Sequence, residues 1–510
     1  MKILLATSEC EPYAKVGGLG DVVQSLATTL KKLGNDVRIV MPKYGSVNYV
    51  SKCKVVGGPM IVNLGYGVEF SQLLQTEYEG VPIYFIEFDK YFARNGIYGE
   101  FGESHSDNWE RFAFFCRAVI DMCPFLNWAP DVIHSNDWPT GLIPALLSLH
   151  NVPKILKNTA SVFTIHNMAH HGYAPKKLLN FAGLYDHYWH PFAMEACGAV
   201  NVMKGALQFA DKITTVSRTY AEEIKTPAHG YGLDDVLRYR AGDLIGICNG
   251  VDAKIWNPAT DKFLPRNFSP KSMDGKKKCK QKLQNDLYLP VNGKAPIFGV
   301  ISRFFHQKGL DILCDILPNV VKNMDVQFAI LGSGDPHLEW RFSELTRNFS
   351  GKIAVRIGFN SALAHLIEAG SDFFVMPSRY EPCGLNQMYS MLYGTLPIVH
   401  ATGGLVDTVE NYDESTGKGT GFVFNDLTHG ALYNTIGWAC ATYYDRPKDF
   451  AGMRKCAMGK NFSWERSAAE YELVYSAAVN GRKLKSRIMI PKGRKKEIPI
   501  LICHNFEGKK

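Results

Sequence analysis

Twelve short runs of β-branched and aliphatic residues recur along the 510-residue chain, each parted from the next by a stretch with helical spacing, and no other feature constrains the fold as much. The runs are KILLAT, DVRIVMP, PIYFIEF, DVIHSND, SVFTIHN, KITTVS and LIGICNG, then PIFGVISR, VQFAILGSG, IAVRIGF, DFFVMPSR and LPIVHAT. Strands that return in the same direction need a crossover, and helices between them supply it, so the pattern predicts an α/β protein built on parallel sheets with helical covers. The alternation breaks once, over residues 257–290, where NPATDKFLPRNFSPKSMDGKKKCKQKLQNDLYLP is polar and rich in Pro and Lys. A chain of this length at 46% hydrophobic exceeds what one core serves. The expected division is therefore a first domain over 1–256, a linker region over 257–290, a second domain over 291–461, and a terminal segment.

The net charge of +8 raises the question of nucleic acid, and its location answers it. Ten of the 57 Lys and Arg but only two of the 49 Asp and Glu fall after Asn480, leaving the rest of the chain balanced. A neutral body argues against a broad basic binding face, and residues 481–510 read as a solvated basic tail. The twelve Cys are scattered without a CxxC pair, which suggests neither zinc spacing nor a secreted disulfide framework. The start MKILLATSEC is too short in its apolar part for a signal sequence, and no later run approaches membrane-spanning length. A cytoplasmic protein is expected, with no nucleic-acid or membrane partner.

Two stretches repeat a glycine signature. KVGGLGDVV, Lys15–Val23, follows the first strand, and TGGLVDTV, Thr402–Val409, follows LPIVHAT. After the first, Val23, Leu26, Leu30 and Leu33 keep helical spacing until Gly34, so Gly17, Gly18 and Gly20 open a helix. Helix N-termini present free N–H groups and the positive end of the dipole, and glycine lets an anion come close. One such turn is ordinary; two at the ends of parallel strands suggest a ligand clamped from two sides. Other polar residues gather at strand ends in the same way: Asp137, His166, Asn249, and Arg303 with Lys308. Taken singly, His166 reads as a hydrogen-bonded core histidine and the two cations as an exposed turn. Jointly they describe phosphate-binding cations beside hydrogen-bonding groups, which suits an activated sugar. A dinucleotide oxidoreductase is excluded, because no GxGxxG follows the first strand.

The segment PSRYEPCGLNQMYSMLYGTLPIVHATGGLVDTV, Pro377–Val409, sets Glu381 between a strand and a helix start. Together with KVGGLGDVV, HSNDWPTGL, TIHNMAHHG, TTVS, CNGVDAKIWNPATD, ISRFFHQKG and NFSWERSAAEY, it resembles the bacterial glycogen synthase and plant starch synthase family from Met1 to about Val479. The resemblance implies a GT-B fold, two Rossmann-like doubly wound parallel-sheet domains with the active site in the cleft between them. It also implies a final helix, residues 462–480, that crosses back to the first domain. Such enzymes transfer glucose from ADP-glucose to the non-reducing end of an α-1,4-glucan with retention of configuration, using no metal and no cofactor.

Carried over by motif, the catalytic set is Asp137, His166, Arg303, Lys308 and Glu381. The donor-binding set is Lys15, Gly17, Gly18, Asp21, Asn249, Phe359, Cys383, Gly384, Leu385, Thr402, Gly403 and Gly404. In that scheme Asp137, His166 and Asn249 meet the glucose from the first domain, Glu381 meets it from the second, and Phe359 stacks on the base. Preference for ADP over UDP rests on resemblance alone, and a non-catalytic glucan-binding homologue is the alternative from another class. Val16 stands where many bacterial members have Thr, the role of LGSGD is unassigned, and Cys383 reads as a backbone contact because no base is evident to activate its thiol.

Overall fold

A computed structural model describes residues 1–45, 53–100 and 103–487. The chain divides into two compact units, one of Met1–Val216, Ala221–Ile247 and the segment from Glu465 onward, the other of Ser217–Tyr220 and Cys248–Trp464.

The first unit is built on a ten-stranded sheet. Its strands are β1 (Lys2–Ala6), β2 (Asp36–Pro42), β3 (Lys54–Val55), β4 (Met60–Leu64), β5 (Gly67–Tyr78), β6 (Val81–Glu87), β7 (Val132–Asn136), β8 (Ala160–Ile165), β9 (Lys212–Thr215) and β10 (Leu244–Gly246). The spatial order is β10-β9-β8-β7-β1-β2-β6-β5-β3, with β4 paired to β5. All pairs from β10 to β6 are parallel, as the alternation predicts. The antiparallel addition of β3, β4 and β5 is new. The order reverses between β1 and β7, the place where open α/β sheets leave a crevice beyond the strand ends. Helix α1 (Leu19–Lys32) buries Val23, Leu26 and Leu30 as expected and stops at Gly34, whose φ is +91°; Leu33, expected on the same face, is exposed.

The terminal helix runs Trp464–Arg487, longer than the expected 462–480, and from Glu465 it belongs to the first unit. Tyr475 Oη bonds His134 Nδ1 on β7 at 2.9 Å and Asn35 Nδ2 donates to Glu472 Oε1 at 2.8 Å. The first seven residues of the basic segment 481–510 thus continue this helix, and its remainder lies outside the described residues.

The second unit carries six parallel strands: β11 (Ile297–Phe304), β12 (Gln327–Gly334), β13 (Ile353–Ile357), β14 (Phe373–Met376), β15 (Leu396–His400) and β16 (Phe422–Phe424). Their order, β13-β12-β11-β14-β15-β16, reverses between β11 and β14. Phe298, Val300, Leu317, Phe328, Phe373 and Ile398 fill the centre of its main core.

The expected boundary at 256/257 and the linker over 257–290 are corrected here. The chain enters the second unit at Cys248 and stays in it to Trp464, and most of the supposed linker is packed structure. Helix α2 (Asp274–Asp286) buries Cys279 and Leu283 in one cluster with Phe268, Ile297, Ala329 and Phe374. Its lysines mislead. The Lys276 ammonium is buried, donating to Ala369 O, Tyr393 O and Thr395 Oγ1 at 3.0, 2.9 and 2.7 Å, and Lys280 pairs with buried Asp372 at 2.8 Å. Long lysine stems cover apolar surface while their heads find acceptors, so a helix that looks solvated is an inner layer.

Candidate active site

In the second unit two loops meet at the reversal of strand order. The loop after β11 ends in a short helical turn, His306–Lys308, and leads into helix α3 (Leu310–Asn323). The loop after β14 runs through Glu381 to helix α4 (Asn386–Leu392). Lys308 Nζ and Glu381 Oε2 stand 2.6 Å apart, and Ser378 Oγ donates to the same carboxylate oxygen at 3.0 Å. Glu381 is buried and Lys308 half-buried, which gives this pair far more weight than a surface bridge. Arg303, on the last turns of β11, is exposed with its guanidinium over the Phe305 ring at 5.1 Å, and no carboxylate among the described residues pairs with it. Phe359 stands between β13 and the helix Ser361–Gly370 and is 91% exposed, a flat apolar face available for stacking.

The second glycine pair lies under this loop. Helix α5 (Gly403–Thr408) starts at Gly403, with Thr402 before it and φ of +45° at Gly403. A Cβ on Gly403 would stand 2.0 Å from Glu381 O, and one on Gly404 2.0 Å from Cys383 O. Gly404 N–H donates to Glu381 O at 3.1 Å. The glycines therefore let two backbones touch and fix the height of Glu381. Gln387 Nε2 ties in Cys383 O and Gly384 O at 3.1 and 3.0 Å, just before and beside Leu385. Cys383 is buried, and burial pushes its thiol well above the usual range, as expected of a structural cysteine. Asn249 belongs to this second unit, correcting its assignment to the first domain. It is buried, and its Oδ1 has no hydrogen-bond partner among the described residues. Asp407, the acid of the second GGLxD, accepts from Ser217 Oγ and Arg218 N at 2.7 and 2.6 Å and from Thr219 Oγ1 at 2.6 Å.

In the first unit the polar groups gather beyond β1, β7 and β8. Asp137 follows β7 with φ 55° and ψ 176°, a backbone region that costs a non-glycine residue about 1–3 kcal/mol. Its Oδ1 accepts from His166 N at 2.8 Å, and His166 Nε2 meets Asn136 Oδ1 at 2.9 Å. Burial raises the Asp137 carboxyl to about 7 against the pull of the His166 and Asn167 backbone N–H groups, and burial holds the His166 imidazolium down to about 3. Sequence reasoning did not select Glu9. Its buried carboxylate accepts from Val16 N and Gly17 N at 2.7 and 3.0 Å and from Tyr98 Oη at 2.7 Å. Two N–H groups of the first glycine loop, expected to be free, thus already face an anion. Lys15 Nζ pairs with Asp21 at 2.7 Å, and a Cβ on Gly17 would meet nothing within 4 Å, while Gly18 sits at the cap of α1. A carboxylate three residues past a strand and a few before a glycine loop was the signal that Glu9 offered.

Comparisons with known proteins fit this geometry. Residues 2–239 match the model of the starch synthase catalytic domain and residues 286–446 that of the glycosyl transferases group 1. The glycogen synthase of Treponema denticola is 44% identical over 489 residues, covering 94% of this chain and 99% of that protein. Glycogen synthase 1 of Geobacter metallireducens is 42% identical, covering 94% and 97%. Among solved structures, the catalytic domain of starch synthase IV from Arabidopsis thaliana, bound to ADP and acarbose, superposes with a TM-score of 0.87 at 32% identity and covers 94% of this chain and 99% of its own. Sucrose-phosphate synthase from Thermosynechococcus elongatus shares the fold at a TM-score of 0.59. The chain belongs to the glycogen and starch synthase family of GT-B glucosyltransferases.

Proposed function

We propose that this glucan synthase takes its glucose from ADP-glucose and that the groups of both units serve that one donor. The observation that carries the reading is the Lys308 and Glu381 pair at the reversal of the second sheet, with Arg303, which no carboxylate among the described residues pairs with, on the adjoining strand. Arg303 and Lys308 would neutralise the diphosphate as the glycosidic bond breaks, the kind of electrostatic contribution that dominates many such reactions. Glu381 would orient the sugar, with Cys383, Gly384 and Leu385 offering backbone groups and Thr402, Gly403 and Gly404 closing the phosphate side. From the first unit, Lys15, Gly17, Gly18 and Asp21 would border the glucosyl phosphate, and Asp137 and His166 the glucose hydroxyls. His166 stays neutral throughout the physiological range, so it acts as a hydrogen-bonding group.

Retention without a second well-placed carboxylate favours a front-face path. The anomeric C–O bond to the phosphate breaks, the acceptor 4-OH oxygen bonds the same face, and its proton passes to the departing phosphate. A double displacement would need a nucleophile about 5 Å from the acid, and no carboxylate pair of that kind stands out from the sequence. The ADP in the starch synthase IV structure supports an adenine-bearing donor, and exposed Phe359 suits stacking on its base. No helix among the described residues is long and apolar enough to cross a membrane; the twelve Cys, scattered in the sequence without a CxxC pair, favour a cytoplasmic site of action. Side-by-side transfer of labelled glucose from ADP-glucose and UDP-glucose to glycogen tests the reading. Faster transfer from the uridine donor would overturn the choice of base, and no transfer from either would overturn catalysis.

A further inference from the structure

The Lys308 and Glu381 loops are stitched together a second time, on the far side of the ion pair, and one residue makes most of the stitches. Arg379 lies two positions before Glu381. Its Nη1 and Nη2 meet Asp311 Oδ1 and Oδ2, each at 2.7 Å, in the parallel fork that guanidinium and carboxylate prefer. Asp311 stands in the first turn of α3, three positions after Lys308. Arg379 Nη1 also donates to His306 O at 2.8 Å, and its backbone N–H to Gln307 O at 2.8 Å. Gln307 Nε2 returns a bond to Tyr380 O at 3.2 Å. The loops can lie this close because residue 309 is glycine: its φ is +63° and a Cβ there would stand 1.9 Å from Pro377 O.

The charges agree with the contacts. The Arg379 guanidinium holds the Asp311 carboxyl below its usual range, and Asp311 in turn raises Arg379. The bridge is partly exposed, at 24% and 35% for the two side chains, so it adds little to global stability. Its geometric effect is larger. Glu381 is already fixed from beneath by Gly404 and from the side by Ser378, whereas the turn bearing Lys308 leans on Arg379.

We propose that Arg379, acting through Asp311 and His306 O, is a positioning residue that sets where the Lys308 ammonium stands relative to Glu381. This rests on the function proposed above, because the position of Lys308 matters only if it bears on the donor. The hydrogen bonds of Arg379 go to Asp311, His306 O and Gln307 O, and it reaches Lys308 and Glu381 only through the loops that carry them.

A mutant cycle on the full-length enzyme, with ADP-glucose and glycogen as substrates, tests the role. Arg379→Gln is expected to lower kcat by about tenfold to a hundredfold, the scale of an ångström misplacement, while the KM for glycogen stays within about twofold. In a Lys308→Ala background the same change is expected to cost less than about twofold, since the group it positions is gone. Arg379→Lys stays close to Arg379→Gln, because an ammonium cannot form the fork and reach the carbonyl together. If Arg379→Gln fails to fold, Asp311→Asn opens the bridge from its other end and the same comparison applies. Retention of more than half the wild-type kcat, or an equal penalty in both backgrounds, overturns the positioning role. A Lys308→Ala enzyme as fast as wild type overturns that role and the assignment of Lys308 together; an equal penalty in a crippled Lys308→Ala background overturns the positioning role alone.

Discussion

Lys308 Nζ and Glu381 Oε2 lie 2.6 Å apart and join the loops that leave β11 and β14, the two strands between which the second sheet reverses its order. Both side chains descend from backbone that is itself cross-linked, so the pair is a fixed feature of the loops. Lys308→Ala removes a cation proposed to meet the diphosphate, and turnover should fall by about two orders of magnitude or more. The variant also leaves a carboxylate that is 5% exposed with Ser378 as its hydrogen-bonding side chain, at a cost of about 3 kcal/mol. Adding Glu381→Gln should therefore restore part of the thermal midpoint without restoring activity. More than a tenth of the wild-type rate in Lys308→Ala would contradict the assignment.

Asp137 gives a prediction in pH. Its carboxyl titrates near 7 in the folded chain and near 3.8 when free of the fold. Between those values the folded chain holds the extra proton, so raising the pH favours unfolding. The lowered His166 acts in the opposite direction and at lower pH, because the unfolded chain takes up its proton below about 6.5. Comparing Asp137→Asn with wild type cancels the histidine contribution. The midpoint of the variant should gain on that of wild type as pH rises from 5 to 8, by differential scanning calorimetry in matched buffers. A constant difference across that range would mean that Asp137 is ionised throughout.

Metal dependence follows from the cations. In the proposed function Arg303 and Lys308 would supply two positive charges for one diphosphate, and a divalent ion would compete with them for the same oxygens. Treatment with EDTA should leave the rate within about 20% of the untreated enzyme, far below the tenfold of a single lost contact. Loss of activity that magnesium restores would show that the protein's cations do not suffice.

The parallel sheets were legible because buried parallel strands are continuous apolar runs, and all twelve runs became strands or strand ends. The antiparallel β4 escaped notice although Met60–Leu64 alternates buried and exposed residues cleanly, since a half-exposed strand makes no such run. The linker over 257–290 was misjudged through Lys276 and Lys280, whose composition says solvent while their ammonium groups sit on buried acceptors. At the candidate site, Lys308 and Glu381 were named from motif, and the structure adds that they touch. Glu9 was passed over: its place between a strand end and the glycine loop was a weak signal, because a carboxylate that faces solvent can stand in the same position. Arg379 and Asp311 look like ordinary surface charges until the two loops are brought together.

The repeated GGLxD signature poses the last test, because the two copies earn their glycines differently. At Gly404 a Cβ would stand 2.0 Å from Cys383 O, and backbone cannot yield as a flexible side chain does. At Gly17 a Cβ meets nothing within 4 Å, so the protein itself has no need of glycine there. The same separation runs through the acids that follow, since Asp407 grips Ser217 and Thr219 while Asp21 pairs with the exposed Lys15. Gly404→Ala should therefore act on the fold as well as the reaction, lowering the thermal midpoint by about 4 °C or more with loss of turnover. Gly17→Ala should leave the midpoint within about 1 °C of wild type and instead weaken ADP binding by roughly tenfold, as a methyl group holds the phosphate away from the loop. Calorimetry on both variants, scanning for stability and titrating for ADP, separates the two outcomes. Equal losses of stability at both sites would mean that the first loop, like the second, is a packing device, and unaltered ADP binding in Gly17→Ala would remove that loop from the donor site.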